Sequence, residues 1–435
     1  MGILVYRGCF PPPKRLRQRK KQRRFFTNLG LCLHSLNPQA LTSRLDSRII
    51  SNRSPRHLQG TFVPTASSST DLSCAFQITP HPQPRCPDER AKILAAPGFG
   101  QHFSDHMVRI SWEKERLWHD AQVLPYGPIS LNPAAAVLHY GQEVFEGLKA
   151  YRHADGSVWA FRPEANGQRL QRSAQRLALP PLPLELFIAS LKQLITIDHD
   201  WVPSGGESSL YLRPFLIGDE AYLGVRASHK ASYYLIASPA GAYFSGGIAP
   251  VSIWLADNYA RAAGKGGTGA AKCGGNYAAS LLPQMQAQAQ GCSQVLFLDP
   301  VEGRYLEELG GMNVFLVYGQ SNTLVTPALT GSILEGITRD SILQLARDRG
   351  MHTEERKILL SEWVDGVRSG EITEIFACGT AAVITPIGQL KGENLSVGEA
   401  NAAPGPVSLS LRQALTDIQY GRAPDPHGWM QRLDA

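Results

Sequence analysis

Two hydrophobic periods organise the chain from about residue 91 onward. Residues 157–161 (SVWAF) alternate at every second position, the period of a half-buried strand. Residues 164–177 carry apolar side chains at helical spacing and end before Pro180, Pro181 and Pro183, which cannot continue a helix. A second amphipathic helix is predicted over 184–197. Residues 210–217 and 231–238 are short, apolar and aromatic-rich, and predict strands. The glycine-rich stretch 240–250 (AGAYFSGGIAP) reads as a joint. Beyond it, 251–255, 294–299, 313–317 and 374–377 predict strands, and 277–290 and 337–349 predict helices. No internal repeat is visible. Mixed strands and helices on both sides of the joint predict two α/β or α+β lobes with a cleft between them: a small lobe over 91–240, a linker over 241–251 and a large lobe over 252–435.

Residues 1–90 lack either period. They hold 15 Lys+Arg against 4 Asp+Glu, and the rest of the chain holds 28 against 33, so the net charge of +6 splits into +11 and −5. The basic excess is concentrated in 14–24, where eight of eleven residues are Lys or Arg. Such a composition does not offset the entropy of ordering, and predicts a disordered basic extension. Three readings of it stand side by side: an organellar transit peptide, since no acid precedes Asp46; a nucleic-acid-binding arm; or a solvated tail. The seven cysteines form no CxxC pair, which favours free thiols in a reducing compartment, and no apolar run reaches the ~18 residues of a membrane span. A cytoplasmic chain is expected, or an organellar one if the extension is a transit peptide.

Only nine lysines follow residue 90, and Lys272 stands apart among them, in 269–277 (GAAKCGGNY). Small neighbours clear space around its ammonium, as an amine that attacks a carbonyl requires. Residues 332–340 (SILEGITRD) place Gly336 and Thr338 at the start of a predicted helix, where unpaired N–H groups and the positive dipole end suit a phosphate. In 376–382 (FACGTAA) a Gly-Thr turn follows an apolar strand and offers a further N–H and hydroxyl. In 307–313 (EELGGMN) a carboxylate beside small residues suits a pyridine nitrogen. Each signal alone has a plainer meaning: a loop lysine, a capped helix, a strand-ending turn, a surface acid. Their order along the chain gives them weight.

That order resembles the branched-chain amino-acid aminotransferases of the class-IV pyridoxal-phosphate fold. The resemblance runs from residue 91 to 433. Its motifs are 140–152 (YGQEVFEGLKAYR), 211–217 (YLRPFLI), 272–280 (KCGGNYAAS), 308–315 (ELGGMNVF), 334–340 (LEGITRD) and 379–386 (GTAAVITP). The wording of 272–284 and 374–388 is most similar to actinobacterial members. It implies a two-domain fold with pyridoxal 5'-phosphate in the interdomain cleft. Lys272 is then the Schiff-base and proton-shuttling lysine, Tyr277 the partner of the cofactor's phenolic oxygen, and Glu308 rather than Glu307 the partner of its ring nitrogen. Arg169, Ile337, Thr338 and Thr380 are implied as phosphate ligands. Tyr211, Arg213, Tyr243 and Phe145 are implied as the substrate pocket, with Phe103 along it. Tyr140 is implied as a tyrosine offered across a homodimer interface, and Gly379, Thr380 and Ala381 as the turn near the substrate carboxylate.

The implied reaction is ping-pong amino transfer between leucine, isoleucine or valine and 2-oxoglutarate, giving branched 2-oxo acids and glutamate, with no metal, nucleic acid or membrane partner. Two departures stand out. Glu335 occupies a position where the family usually has proline, and is expected to face solvent, because a carboxylate aimed at a phosphate is repelled. The CxxC that serves as a thiol switch in some animal members is missing after Thr380. The rivals are a D-amino-acid aminotransferase or aminodeoxychorismate lyase of the same fold and, from a different class, a nucleic-acid-binding protein using residues 14–24.

Overall fold

Side chains of the helix Pro163–Arg176 show how this chain builds its core. Pro163 starts it, with a ring whose fixed φ and missing N–H suit a first turn. Asn166, Arg169, Leu170, Ser173 and Ala174, spaced three and four apart, form its buried face. Leu170 and Ala174 pack with Phe187, Leu191, Leu194 and Ile195 of the neighbouring helix Leu184–Ile197. A fully buried leucine of this kind contributes roughly 1.5–3 kcal/mol. The three polar residues on the same face carry little apolar surface, and they lead to the functional site instead.

The computed structural model describes residues 76–241 and 248–435. Both helices lie on a nine-stranded sheet that runs in the order Gln77–Ile78, Leu117–Pro125, His106–Glu113, Lys230–Ala240, Ser209–Gly218, Leu148–Arg152, Val158–Phe161 and Met430–Arg432, with Glu143–Phe145 also pairing with Ser209–Gly218. Apart from the parallel edge pair Gln77↔Gln122, its ladders are antiparallel. A second nine-stranded sheet runs Leu306–Leu309, Gln294–Leu298, Val251–Leu255, Val383–Gly392, Ile372–Gly379, Asn313–Tyr318, Thr323–Pro327 and His352–Arg356, with Leu395–Gly398 beside Val383–Gly392. This sheet is mixed, since Val251–Leu255 is parallel to both neighbours. The described residues fall within one compact unit, and one core cluster joins Tyr151 and Phe161 of the first sheet to Phe315, Phe376 and Leu415 of the second half.

The expected elements are present, with bounds shifted by a few residues. Leu184–Ile197 and Val251–Leu255 coincide with their sequence readings, and 277–290 corresponds to Gly274–Ala289. Two boundaries need correction. Residues 76–90, assigned to the disordered extension, contain the strand Gln77–Ile78 and the start of the helix Pro87–Ala95, held by pairing to Leu117–Pro125 and by hydrogen bonds such as His81 N–H to His106 Nε2 at 2.9 Å. Their Pro-rich composition hides this because the contacts are non-local. The C-terminal strand Met430–Arg432, assigned to the large lobe, returns to the first sheet against Val158–Phe161, and Leu433 lies in that sheet's core. The basic run 14–24 and the three readings of it lie outside the described residues, as does most of the joint at 240–250. Among the described residues no helix is long and apolar enough to cross a membrane.

Candidate active site

Lys272 is fixed by its backbone before its side chain does anything. Its N–H donates to Ser173 Oγ at 2.9 Å, and its carbonyl accepts from the Phe145 N–H at 2.9 Å. The helix Pro163–Arg176 and the short strand Glu143–Phe145 thus hold it from two sides. Its Nζ donates to Tyr277 Oη at 2.8 Å and lies 4.8 Å and 5.1 Å from the Phe145 and Tyr277 ring centroids. Tyr277 is on the helix Gly274–Ala289 that begins just after the lysine, so five residues of chain bring amine and phenol together. The Phe145 and Tyr277 rings meet edge to face at 4.9 Å.

A buried anion organises one end of this group. Glu146 is fully buried and takes Arg169 Nε at 2.8 Å on one oxygen and Arg169 Nη2 at 2.9 Å on the other. Asn166 Nδ2 donates to it at 2.7 Å. Burial pushes the Glu146 carboxyl up, but the charge and hydrogen bonds of Arg169 outweigh it and hold the group below the usual carboxylate range. Arg169 Nη1 also donates to the Glu335 carbonyl at 2.9 Å. A guanidinium has five donors, so one N–H on each terminal nitrogen is left. Beside them the helix Ile337–Asp348 begins at Gly336 with no side chain capping it, and its first-turn N–H groups have no intrahelical partner. Thr338 is buried in that turn. The spare N–H groups of Arg169, the helix start and the Thr338 hydroxyl form a donor set suited to a phosphate. The Glu335 side chain turns outward as expected, to Arg172 at 2.9 Å on the surface.

The other end is acidic. Glu308 Oε1 accepts from the Leu334 N–H at 2.8 Å and lies 3.1 Å from Arg261 Nη1. Burial pushes its carboxyl up to about 7, while Arg261, the Leu334 N–H and Lys272 draw it down. Such a group is poised to exchange a proton near neutrality and suits a protonated ring nitrogen. Glu307 on the same strand is also buried, and takes the Ser332 hydroxyl. Its charge adds to the upward push on Glu308, and Arg261 draws both acids down.

Arg213 lies 4.9 Å over the Phe145 ring and 5.3 Å over Tyr211, and donates to Tyr211 Oη at 3.2 Å. A cavity of about 230 Å³ is lined by Phe99, Gly100, Phe103, Tyr211, Arg213 and Ile236 among others. Phe103 stacks on Tyr126 at 4.8 Å and Phe99 meets Tyr211 at 5.0 Å. Gly147 is required here, because a Cβ on it would collide with Tyr211 Oη. A larger surface hollow of about 900 Å³, around Trp254, Tyr259 and Lys391, shares no residue with this group. An added Cβ would stand 3.3 Å from Met312 Cγ at Gly379 and 3.5 Å from Tyr277 Cε1 at Gly311.

Thr380 and Ala381 sit in the loop that follows Gly379. Tyr140 does not join the cluster: it is exposed and donates to the Leu223 carbonyl. Tyr243 lies outside the described residues. Sequence reasoning missed Glu146, Asn166, Ser173, Arg261 and Lys149. Glu146 and Lys149 lie within the 140–152 motif, and the others look in sequence like ordinary solvated residues.

Gly336 offers a direct check of this donor set. A Cβ there would collide with Asn313 Oδ1, so Gly336→Ala is expected to displace the helix start and weaken pyridoxal-phosphate binding by about ten- to a hundred-fold. A cofactor titration measures this; unchanged affinity would remove the assignment.

An amine between aromatic rings, an uncapped helix start suited to an anion and a buried acid, on two mixed sheets, define a class. The chain belongs to the class IV amino-transferases, whose family model matches residues 143–390. More particularly, it is 59% identical over 362 residues to the branched-chain-amino-acid aminotransferase of Mycolicibacterium smegmatis, covering 82% of this chain and 98% of the relative. It is 56% identical to the enzyme of that name from Mycobacterium tuberculosis H37Rv, covering 84% and 100%. The crystal structure of the Escherichia coli branched-chain amino acid aminotransferase matches with a TM-score of 0.61 at 28% identity, covering 74% of this chain and 99% of that one. A T.th. enzyme of the same name, complexed with N-(5'-phosphopyridoxyl)-L-glutamate, matches with a TM-score of 0.61 at 29% identity, covering 74% and 98%.

Proposed function

We propose that this chain is a branched-chain amino-acid transaminase that moves an amino group between leucine, isoleucine or valine and 2-oxoglutarate, using pyridoxal 5'-phosphate. The observation that carries this is the position of Lys272 Nζ, 2.8 Å from Tyr277 and flanked by Phe145, between the donor set at Arg169 and the buried Glu308. Relatives at 55–59% identity bear the same activity in their names.

When bound, pyridoxal 5'-phosphate supplies an aldehyde for the amine and a ring that withdraws electrons from the substrate Cα. Arg169, Ile337, Thr338 and Thr380 would hold its phosphate. Glu308 would hold a proton at the ring nitrogen, and Tyr277 would steady the phenolic oxygen. Lys272 Nζ would take the proton from the substrate Cα and hold it for return on the cofactor side, a general acid–base role worth roughly 10²–10⁴-fold. Phe145, Tyr211 and Phe103 exclude water around an apolar side chain, and Arg213 admits the second carboxylate of glutamate. The loop from Gly379 to Ala381 receives the α-carboxylate.

The same reading makes the enzyme a cytoplasmic homodimer. An apolar surface of Leu138, Tyr140, Tyr222, Leu223 and Val225 supports a partner, which would receive Tyr140 at its site. Free Cys86, Cys273, Cys292 and Cys378 accord with a reducing compartment.

Purified protein mixed with leucine and 2-oxoglutarate is expected to form glutamate, with the visible absorbance of the bound cofactor falling on addition of leucine alone. D-alanine and aminodeoxychorismate are expected to leave that absorbance unchanged. Turnover of either in place of leucine would transfer the chain to one of its fold-mates.

A further inference from the structure

One buried lysine has no part in this scheme. Lys149 stands opposite Tyr211 in the ladder between Leu148–Arg152 and Ser209–Gly218. Its side chain is therefore on the same sheet face as the substrate pocket. Its Nζ donates to the Ala381 carbonyl at 2.9 Å. Ala381 is the middle residue of the loop 380–382, which closes a hairpin with Gly379 opposite Val383. Val383 leaves that loop at φ 62°, a left-handed conformation that a β-branched residue adopts only under constraint. Behind the loop, Arg412 of the helix Pro406–Gln419 is buried and grips the Glu207 carboxylate with both terminal nitrogens. Lys149, Glu207, Ala381, Val383, Arg412 and Tyr420 line one small enclosed cavity.

We propose that Lys149 is a positioning residue that holds the 379–382 loop in its substrate-binding form and lends it positive charge, so that affinity for the substrate carboxylate depends on Lys149 being protonated. Two cations and one carboxylate leave the cluster a net charge of +1 directly beneath the loop. In a buried setting that charge is poorly screened and acts on an anion across the loop. Burial and Arg412 press Lys149 toward its neutral form and Glu207 resists, leaving it to titrate at about 8. Tyr151 and Tyr420, which share the cavity, are pushed upward by burial and stay neutral through that range. Affinity is thus full below that value and falls as pH rises through it. The inference rests on the transaminase reading.

The test follows KM for a branched 2-oxo acid, which has no amino group to titrate, at saturating glutamate from about pH 6.5 to about pH 9.5. Wild-type KM is expected to be low on the acid side and to rise through the Lys149 midpoint. Lys149→Met should raise KM at neutral pH about ten-fold and flatten the profile, with kcat changed less than about three-fold. Lys149→Arg should keep KM low at every pH. Glu207→Gln removes the anion that favours the charged lysine, and should move the alkaline rise to lower pH; it decides the matter if Lys149→Met fails to fold. A wild-type KM in Lys149→Met, or a midpoint that ignores Glu207→Gln, overturns the inference. A wild-type protein with no transaminase activity overturns the functional reading instead.

Discussion

Lys272→Ala is expected to lower leucine turnover by at least about 10²–10⁴-fold, the range that a positioned acid–base group supplies, and to abolish the visible absorbance of bound cofactor. The loss should be chemical rather than structural. The lysine's backbone bonds to Ser173 and Phe145 survive the substitution, and only the Nζ contact with Tyr277 is deleted. Thermal unfolding of the variant should therefore stay close to that of the wild type without cofactor. Leucine turnover near the wild-type rate would dismantle the mechanism, since among the described residues no other lysine lies against both Phe145 and Tyr277.

Glu146→Ala is expected to cost about 3–5 kcal/mol of stability, the penalty for leaving one member of a buried ion pair behind. Arg169 keeps its charge in a closed interior and loses two of its three partner contacts, while Asn166 loses the acceptor it uses at 2.7 Å. Cofactor affinity should fall with stability, because Arg169 is then free to leave the helix start. The sign of the pH effect follows from the lowered Glu146 carboxyl. Its stabilisation is complete above the ordinary carboxylate range and is lost as pH falls through the lowered value. The gap between wild type and variant should accordingly be widest near neutrality and narrow in acid. Denaturant midpoints at both pH values measure this, and an unchanged midpoint at neutral pH would rule out the role assigned to the pair.

The legibility of the site varied with how local its contacts are. Lys272 and Tyr277 are five residues apart and could be read from one motif. Glu308 and the 334–340 helix start were likewise carried by short runs of glycine and small residues. Asn166, Arg169 and Ser173 lie on a face spaced three and four apart, where a run of polar side chains usually means a solvated surface. Arg169 was singled out only through resemblance, and its partner Glu146, 23 residues earlier, was passed over. Lys149 reaches Ala381 across 232 residues, a separation no local pattern encodes. The same applies at the chain's edges, where the strands Gln77–Ile78 and Met430–Arg432 are too short to show a period and exist because a partner strand accepts them.

Sequence alone therefore determined the periods of the long elements and set Lys272 apart with its small neighbours, because those depend on side chains a few residues apart. Tertiary structure decided which polar groups are buried, and with that the ionisation of Glu146, Lys149 and Glu308. Burial and charge pairing are properties of residues brought together from distant parts of the chain, and they come into being only when the two sheets close around them.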